Sequence, residues 1–363
     1  MKVAGVDRRS LWPAPGREAV FVIDQRQLPH RWLIARLGSL AEVRVAIADM
    51  WVRGAPLIGA TAAYGIALQS LQAADDQALR HAQASLDSAR PTAVNLAWAT
   101  ARMLAKLLPL PLAQRPAAAW READAIAEED VAVNAAIGRH GLVLLQALAA
   151  QIVPGGAGRP LNVLTHCNAG WLATVDWGTA LAPVYQAQAA GLAVHVWVDE
   201  TRPRNQGASL TAWELGQQGV PHTVIADNTG GHLMQHGQVD LVIVGADRVT
   251  ARGDVCNKIG TYLKALAAHD NGVPFYVAMP LSTLDRSLHD GLAEIPIEYR
   301  STRELSHVTG RDAAGGLTEV QLLPDGSPAL NPACDVTPAR LVTGLITERG
   351  VLAANAAALQ ATA

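Results

Sequence analysis

Two side chains in this sequence join an apolar approach to a group capable of proton or nucleophile chemistry. Cys167 closes the run LNVLTH. A helix beginning at the following Asn-Ala-Gly favours its thiolate and an apolar wall opposes it, so the sign of the effect stays open at this level. Asp247 follows LVIVGA, and a carboxyl at the end of a buried strand must be paired, hydrogen-bonded or kept neutral; in the neutral form it is a proton donor. Three cations stand beside expected helix starts: Arg53 before GAPLIGA, Arg90 before Pro91, and Lys258 at the head of a helix reaching Ala268. Glycine lets a backbone come close to a ligand and proline suits the first helical turn. Cations at helix N-termini in a weakly charged chain form a phosphate pocket. Plainer readings stand beside these. Cys167 is then a small buried hydrophobe, Asp247 a helix cap or partner of Arg248, and the cations solvated charges. Asp199 and Glu200 are read as caps or bridges, Cys256 and Cys334 as packing.

The elements that must position these groups follow from the apolar rhythm. After a short strand at Val20–Asp24, residues 1–150 read as mostly helical, with 3.6-residue spacing over Leu40–Asp49, Leu57–Leu71, Thr92–Leu108 and Ala117–Leu148. The stretch VPGGAGRP at 153–160 is a linker signal. Residues 151–363 alternate short strands (Leu161–Thr165, Ala193–Asp199, His222–Ala226, Leu241–Gly245, Pro274–Met279) with helices over Gly178–Ala190, Ser209–Gln218 and Lys258–Ala268. That alternation predicts an α/β fold, a Rossmann-like parallel sheet covered on both faces, preceded by a smaller, mostly helical domain. Ligands of such sheets bind at the carboxyl ends of the strands. His166-Cys167-Asn168, Asp199–Arg202, Asp227-Asn228 and Ala246–Arg248 all fall on that edge. Gly310–Pro332 reads as an exposed connection and Pro338–Leu359 as one or two helices packing back.

Composition narrows the function classes. The 363 residues are 50% hydrophobic and 17% charged with a net charge of −3, which excludes a disordered chain and a global field recruiting nucleic acid or anionic membrane. The charge-free stretches Gly54–Ala74 and Trp177–Val198 are broken by Pro, Gly and Gln and read as buried globular segments. Three scattered cysteines form no CxxC pair, so a disulfide framework is not expected and a cytoplasmic protein is. No GxGxxG follows a strand, no GxxxxGK[ST] occurs, and the histidines lack HExxH-type spacing. His166 and Cys167 point to opposite strand faces if both are still in the strand. No cofactor or metal is called for.

RGAPLIGATAAYGIAL, RPTAVNLAWA, LTHCNAG, GTALAP, VDETRPRNQGASLTAWEL, DNTGG, IVGADRV, GDVCNKIGTY and VPFYVAMPLSTLD follow one another between Trp51 and Tyr299. In this order the chain closely resembles the methylthioribose-1-phosphate isomerases, related in fold to the regulatory subunits of the initiation factor exchange complex. The resemblance implies an aldose-ketose isomerase of methionine salvage, homodimeric and cofactor-independent, with 5-deoxyribose 1-phosphate as a further substrate. It makes Cys167 and Asp247 catalytic, and Arg53, Gly54, Ala55, Arg90, Gln206, Asn257 and Lys258 substrate-binding. The alternatives are a ribose 1,5-bisphosphate isomerase, which needs extra Arg or Lys for a second phosphate, and a non-catalytic regulatory subunit, which needs no Cys/Asp pair. Trp171, Ser209 and Cys256 depart from the family pattern. Trp171 either narrows the space for the 5-substituent or packs in the core, the reading favoured here.

Overall fold

The computed structural model describes residues 1–90, 94–152 and 159–362; Pro91 and most of the VPGGAGRP stretch lie outside them. The first part of the chain opens on an antiparallel sheet of Leu11–Pro13, Val20–Ile23 and Ile34–Leu37, of which only the middle strand was expected. Helices α1 (Leu40–Ala48), α2 (Ala55–Gln72), α3 (Asp76–Asp87), α4 (Val94–Leu107) and α5 (Arg115–Ile152) follow. Helix α3 is an addition to the expected set. The Asp75 carboxylate caps it by accepting the Ala78 N–H at 3.0 Å, and Leu79, Ala82 and Leu86 line its buried face.

Fourteen of the eighteen residues of α2 are buried, so it is the middle of the helical layer. Its glycines let neighbours close in: a Cβ on Gly59 would lie 2.7 Å from the Asn95 carbonyl oxygen of α4. The 38-residue α5 is about 57 Å long at 1.5 Å per residue. Its first half places Ala119, Trp120, Ala123 and Ile126 in the core of the helical layer. Its second half sends Ile137 and Leu145 into the core beneath the large sheet. It is also long and apolar enough, by composition alone, to cross a membrane. Here it packs as a shared wall of two protein cores.

The large sheet comprises β1 (Leu161–Thr165), β2 (Val194–Asp199), β3 (His222–Ile225), β4 (Leu241–Val244), β5 (Phe275–Ala278), β6 (Gly344–Thr347) and β7 (Gly350–Leu352). Its order is β7-β6-β5-β4-β1-β2-β3. Every pairing is parallel except the closing β6–β7 hairpin. The Rossmann-like reading therefore holds. Strands β6 and β7 correct the expectation of helices over Pro338–Leu359. GLIT is fully buried beside β5 and pairs with GVL across a tight turn, leaving a 3₁₀ turn at Ala339–Leu341 and the α-helix Ala356–Gln360.

A second sheet orders Leu284–Asp285, Arg248–Thr250, Val255–Lys258 and Cys334–Thr337. Lys258 thus ends a strand instead of opening a helix. Gly260, at φ +101°, turns the chain into the helix Thr261–Asp270, a conformation glycine adopts without a Cβ penalty. Within 310–332, expected as connection, Leu317–Gln321 pairs with His307–Arg311 as a hairpin.

Candidate active site

The strand order reverses between β1 and β4: the chain leaves β1 toward β2 on one side and β4 toward β5 on the other. Diverging loops leave a crevice at such a point. Cys167 stands two residues beyond β1 and Asp247 three beyond β4, so both candidate reactive groups reach the same crevice.

Cys167 is buried and held at φ +67°, a strained conformation for a residue with a side chain. Its N–H donates to Thr201 Oγ1 at 2.8 Å and its carbonyl accepts from Thr211 Oγ1 at 2.7 Å. These two hydroxyls fix the bend that aims the thiol off the strand. No α-helix starts at Asn168; a single 3₁₀ turn, Trp171–Ala173, follows. Asp247 caps no helix either. Its N–H donates to the Cys256 carbonyl at 2.9 Å, its Oδ2 accepts from the Cys334 thiol at 3.6 Å, and Arg248 turns instead to Asp285 at 3.3 Å.

Cys167 and Asp247 line a narrow cavity of about 40 Å³ with Arg53, Gly54, Ala55, Arg90, Gln206 and Lys258. Gly54 and Ala55 form the start of α2, where unpaired N–H groups and the helix dipole favour an anion. Gly54 sits at φ +87°, and a Cβ there would lie 2.3 Å from the Ala173 carbonyl oxygen. The Arg53 guanidinium is fixed by Asn168, through Nη1 to Oδ1 at 2.5 Å and Nη2 to the backbone oxygen at 2.6 Å. Arg90 is largely buried, 3.6 Å from Glu298, and its Nε and Nη1 have no hydrogen-bond partner among the described residues. Burial holds its pKa below the usual arginine value, against the opposing pull of Glu298. Asn257 stands apart. It is buried on the strand beside Lys258 but turns its amide to Thr261 Oγ1 at 3.0 Å and is not part of the cavity wall.

Met50, Ile58, Glu298 and Ala333, for which the sequence carries no signal, complete the wall with Cys334, which is expected to serve packing alone and instead faces the cavity. Burial pushes the Glu298 carboxyl up, but Arg90, Arg300 and Lys258 together outweigh it and hold it below the ordinary value. Cys334 is held well above the usual thiol range by its hydrogen bond with Cys256, by burial and by the Asp247 charge. A chamber of about 410 Å³ adjoins, sharing Met50, Arg53 and Gln206 and also lined by Leu28, Leu210, Ser209 and the hairpin residues Val308 and Leu317.

Beneath the edge, His166 lies between Asp199 Oδ2 and the Ile259 carbonyl, both at 2.8 Å. Lys264 bridges to Asp199 at 3.2 Å and donates to the Asp227 carbonyl. His166, Asp199 and Asp227 come within metal-binding distance of one another, but the Lys264 ammonium supplies positive charge on this buried carboxylate. Asp199 is therefore structural, as expected. Trp171 is fully buried in the core beneath the sheet, 6.2 Å from the Trp213 ring, and lines neither cavity.

Comparison with known proteins completes the picture. The model of the Initiation factor 2 subunit family matches residues 51–354. Methylthioribose-1-phosphate isomerase of Rhodospirillum rubrum is 63% identical over 361 residues, covering 99% of this chain and 92% of that protein. Among solved structures, 5-methylthioribose 1-phosphate isomerase from Pyrococcus horikoshii superposes with a TM-score of 0.82 at 38% identity, over 98% of this chain and 95% of that one. A translation initiation factor eIF-2B subunit delta from A. fulgidus gives 0.76 at 38% identity, over 96% of both chains. With full-length identity at this level and a cavity where β1 and β4 part, the chain belongs to the methylthioribose-1-phosphate isomerase family.

Proposed function

We infer that this enzyme converts 5-methylthioribose 1-phosphate to 5-methylthioribulose 1-phosphate, an aldose-ketose isomerisation of methionine salvage. A ribose phosphorylated on its anomeric oxygen has no hemiacetal proton, so its ring does not open unaided. Opening needs a proton delivered to the ring oxygen, and isomerisation then needs a hydrogen moved from C2 to C1. In our reading Asp247 is the general acid and Cys167 attends the transfer at C2 and C1. Arg53, Arg90, Lys258 and the N-terminus of α2 take the phosphate. A narrow, largely buried cavity strengthens these charges and keeps water from the open-chain intermediate. The observation that carries the reading is the convergence of the Cys167 thiol, the Asp247 carboxyl and the cations Arg53, Arg90 and Lys258 on a single cavity wall.

The larger chamber supports a neutral 5-substituent over a second phosphate. Apart from Arg53, which it shares with the narrow cavity, its arginines are already paired with carboxylates: Arg26 with Asp24, Arg204 with Glu304 and Arg303 with Glu319. In this proposal residues 1–150 lend Arg53 and Arg90, residues 151–363 lend the acid and the thiol, Asn257 supports Lys258 from behind, and the enzyme works as a cytoplasmic homodimer. 5-Deoxyribose 1-phosphate is a further substrate by the same logic. Proton NMR of purified protein with methylthioribose 1-phosphate, and separately with ribose 1,5-bisphosphate, tests the assignment. Ketose signals are expected from the first, and turnover of the second alone refutes it.

A further inference from the structure

Glu214 touches neither cavity, yet it ends a chain of hydrogen bonds that begins at Arg53. It is fully buried in the short helix Ala212–Gln217, which continues a π-helical turn at Gly207–Thr211. Its Oε1 accepts from Asn168 Nδ2 at 3.1 Å and its Oε2 from the Leu172 N–H at 3.1 Å. Asn168 Nδ2 also donates to Thr211 Oγ1 at 3.1 Å, and its Oδ1 accepts from Arg53. The backbone is shaped around this carboxyl: a Cβ on Gly170 would lie 1.3 Å from Glu214 Oε1.

The two ends of an amide have nearly the same shape, so donor and acceptor chemistry decides which end faces which neighbour. Both oxygens of the Glu214 carboxyl serve as acceptors here, Oε1 for Asn168 and Oε2 for the Leu172 N–H, so the Asn168 NH₂ turns to Glu214 and its oxygen to the guanidinium. Reversed, the amide would set two donors against each other at Arg53. Burying a carboxyl here is costly. Burial raises its pKa to about 8, against the pull of the Leu172 N–H, Asn168 and Arg53. An apolar side chain of similar volume would avoid that cost but could not orient an amide.

We propose that Glu214 is a positioning residue: it fixes the Asn168 amide and, through it, aims the Arg53 guanidinium at the substrate phosphate. The inference rests on Arg53 as a substrate-binding residue. In Glu214→Gln one of the two acceptor positions becomes a donor and faces either Asn168 Nδ2 or the Leu172 N–H. KM for methylthioribose 1-phosphate is expected to rise at least tenfold, with kcat within threefold of wild type. Pairing it with Asn168→Asp reverses the polarity of the contact. The amide at 214 then donates to the new carboxylate at 168, which still accepts from Arg53, and KM is expected to fall at least threefold below that of Glu214→Gln, the remainder reflecting the donor that Thr211 Oγ1 loses.

Loss of a merely structural contact would lower the melting temperature without raising KM. Arg53→Ala, measured in parallel, separates the two readings. If it raises KM while Glu214→Gln leaves KM within twofold, the positioning role is wrong and the Arg53 assignment stands. If Arg53→Ala leaves KM unchanged, both fall. Should Glu214→Gln alone fold poorly, the double variant decides, since a normal melting temperature with KM still tenfold raised overturns the proposal.

Discussion

Arg90 offers the sharpest test of the phosphate site, because function and stability are expected to move in opposite directions when it is removed. Its Nε and Nη1 are buried with no partner among the described residues. A charged donor that gains a partner contributes about 1.5–3 kcal/mol. Two such donors meeting phosphate oxygens therefore contribute roughly 3–6 kcal/mol, and at 1.36 kcal/mol per decade Arg90→Met should lower kcat/KM roughly 150- to 25,000-fold. The same substitution relieves a guanidinium whose protonated form burial disfavours. Glu298 retains Arg300 at 2.7 Å, so no carboxylate is stranded. Unfolding stability is expected to be unchanged or to rise by about 1 kcal/mol. Steady-state kinetics with inorganic phosphate as competitor, alongside urea unfolding, reads both quantities. A kcat/KM within threefold of wild type, or an activity loss accompanied by destabilisation of about 2 kcal/mol or more, would show that these donors serve the fold and not the ligand.

Cys167→Ala and Asp247→Asn should each fold normally and lose most turnover; near-normal kcat in either removes that residue from the mechanism. Gly54→Ala should fail at binding and lower the melting temperature together, because it needs a positive φ and meets the Ala173 backbone; wild-type KM would refute the close approach of α2 to the site. Asp130 on α5 is half-buried, and desolvation raises its pKa from 3.8 to about 7 against hydrogen bonds from the Val175 N–H and Asn134. Between those values the native state binds the extra proton, so stability falls as pH rises through the window, by about 4 kcal/mol at 1.36 per unit. Asp130→Asn should flatten that part of the stability profile, since the buried Asn134 Oδ1 lacks a partner and can accept from the new amide. Parallel profiles for the two proteins would contradict this.

How much of this was legible in the sequence depended on whether the signal was local. Five sheet strands announced themselves as apolar runs bounded by turn residues, and with them came the edge that carries Cys167 and Asp247. Strands β6 and β7 did not, because a glycine heads each and a helical reading of the flanking alanines competes. The hairpin at 307–321 escaped because its second strand is mostly exposed and lacks alternation. Lys258 was placed in a helix because the break comes two residues later, at Gly260. Residues such as Glu298, Cys334 and Glu214 reach the site, or the groups behind it, by tertiary packing, which no spacing along the chain encodes.

The long helix shared by the two cores has a mechanical meaning. Anchored in the helical layer by its first half and under the sheet by its second, α5 acts as a girder that resists shear between them. Arg53 and Arg90 on one side therefore keep a fixed distance from the thiol and carboxyl on the other. The small ribbon at 307–321 lines the outer chamber and has no part in that girder.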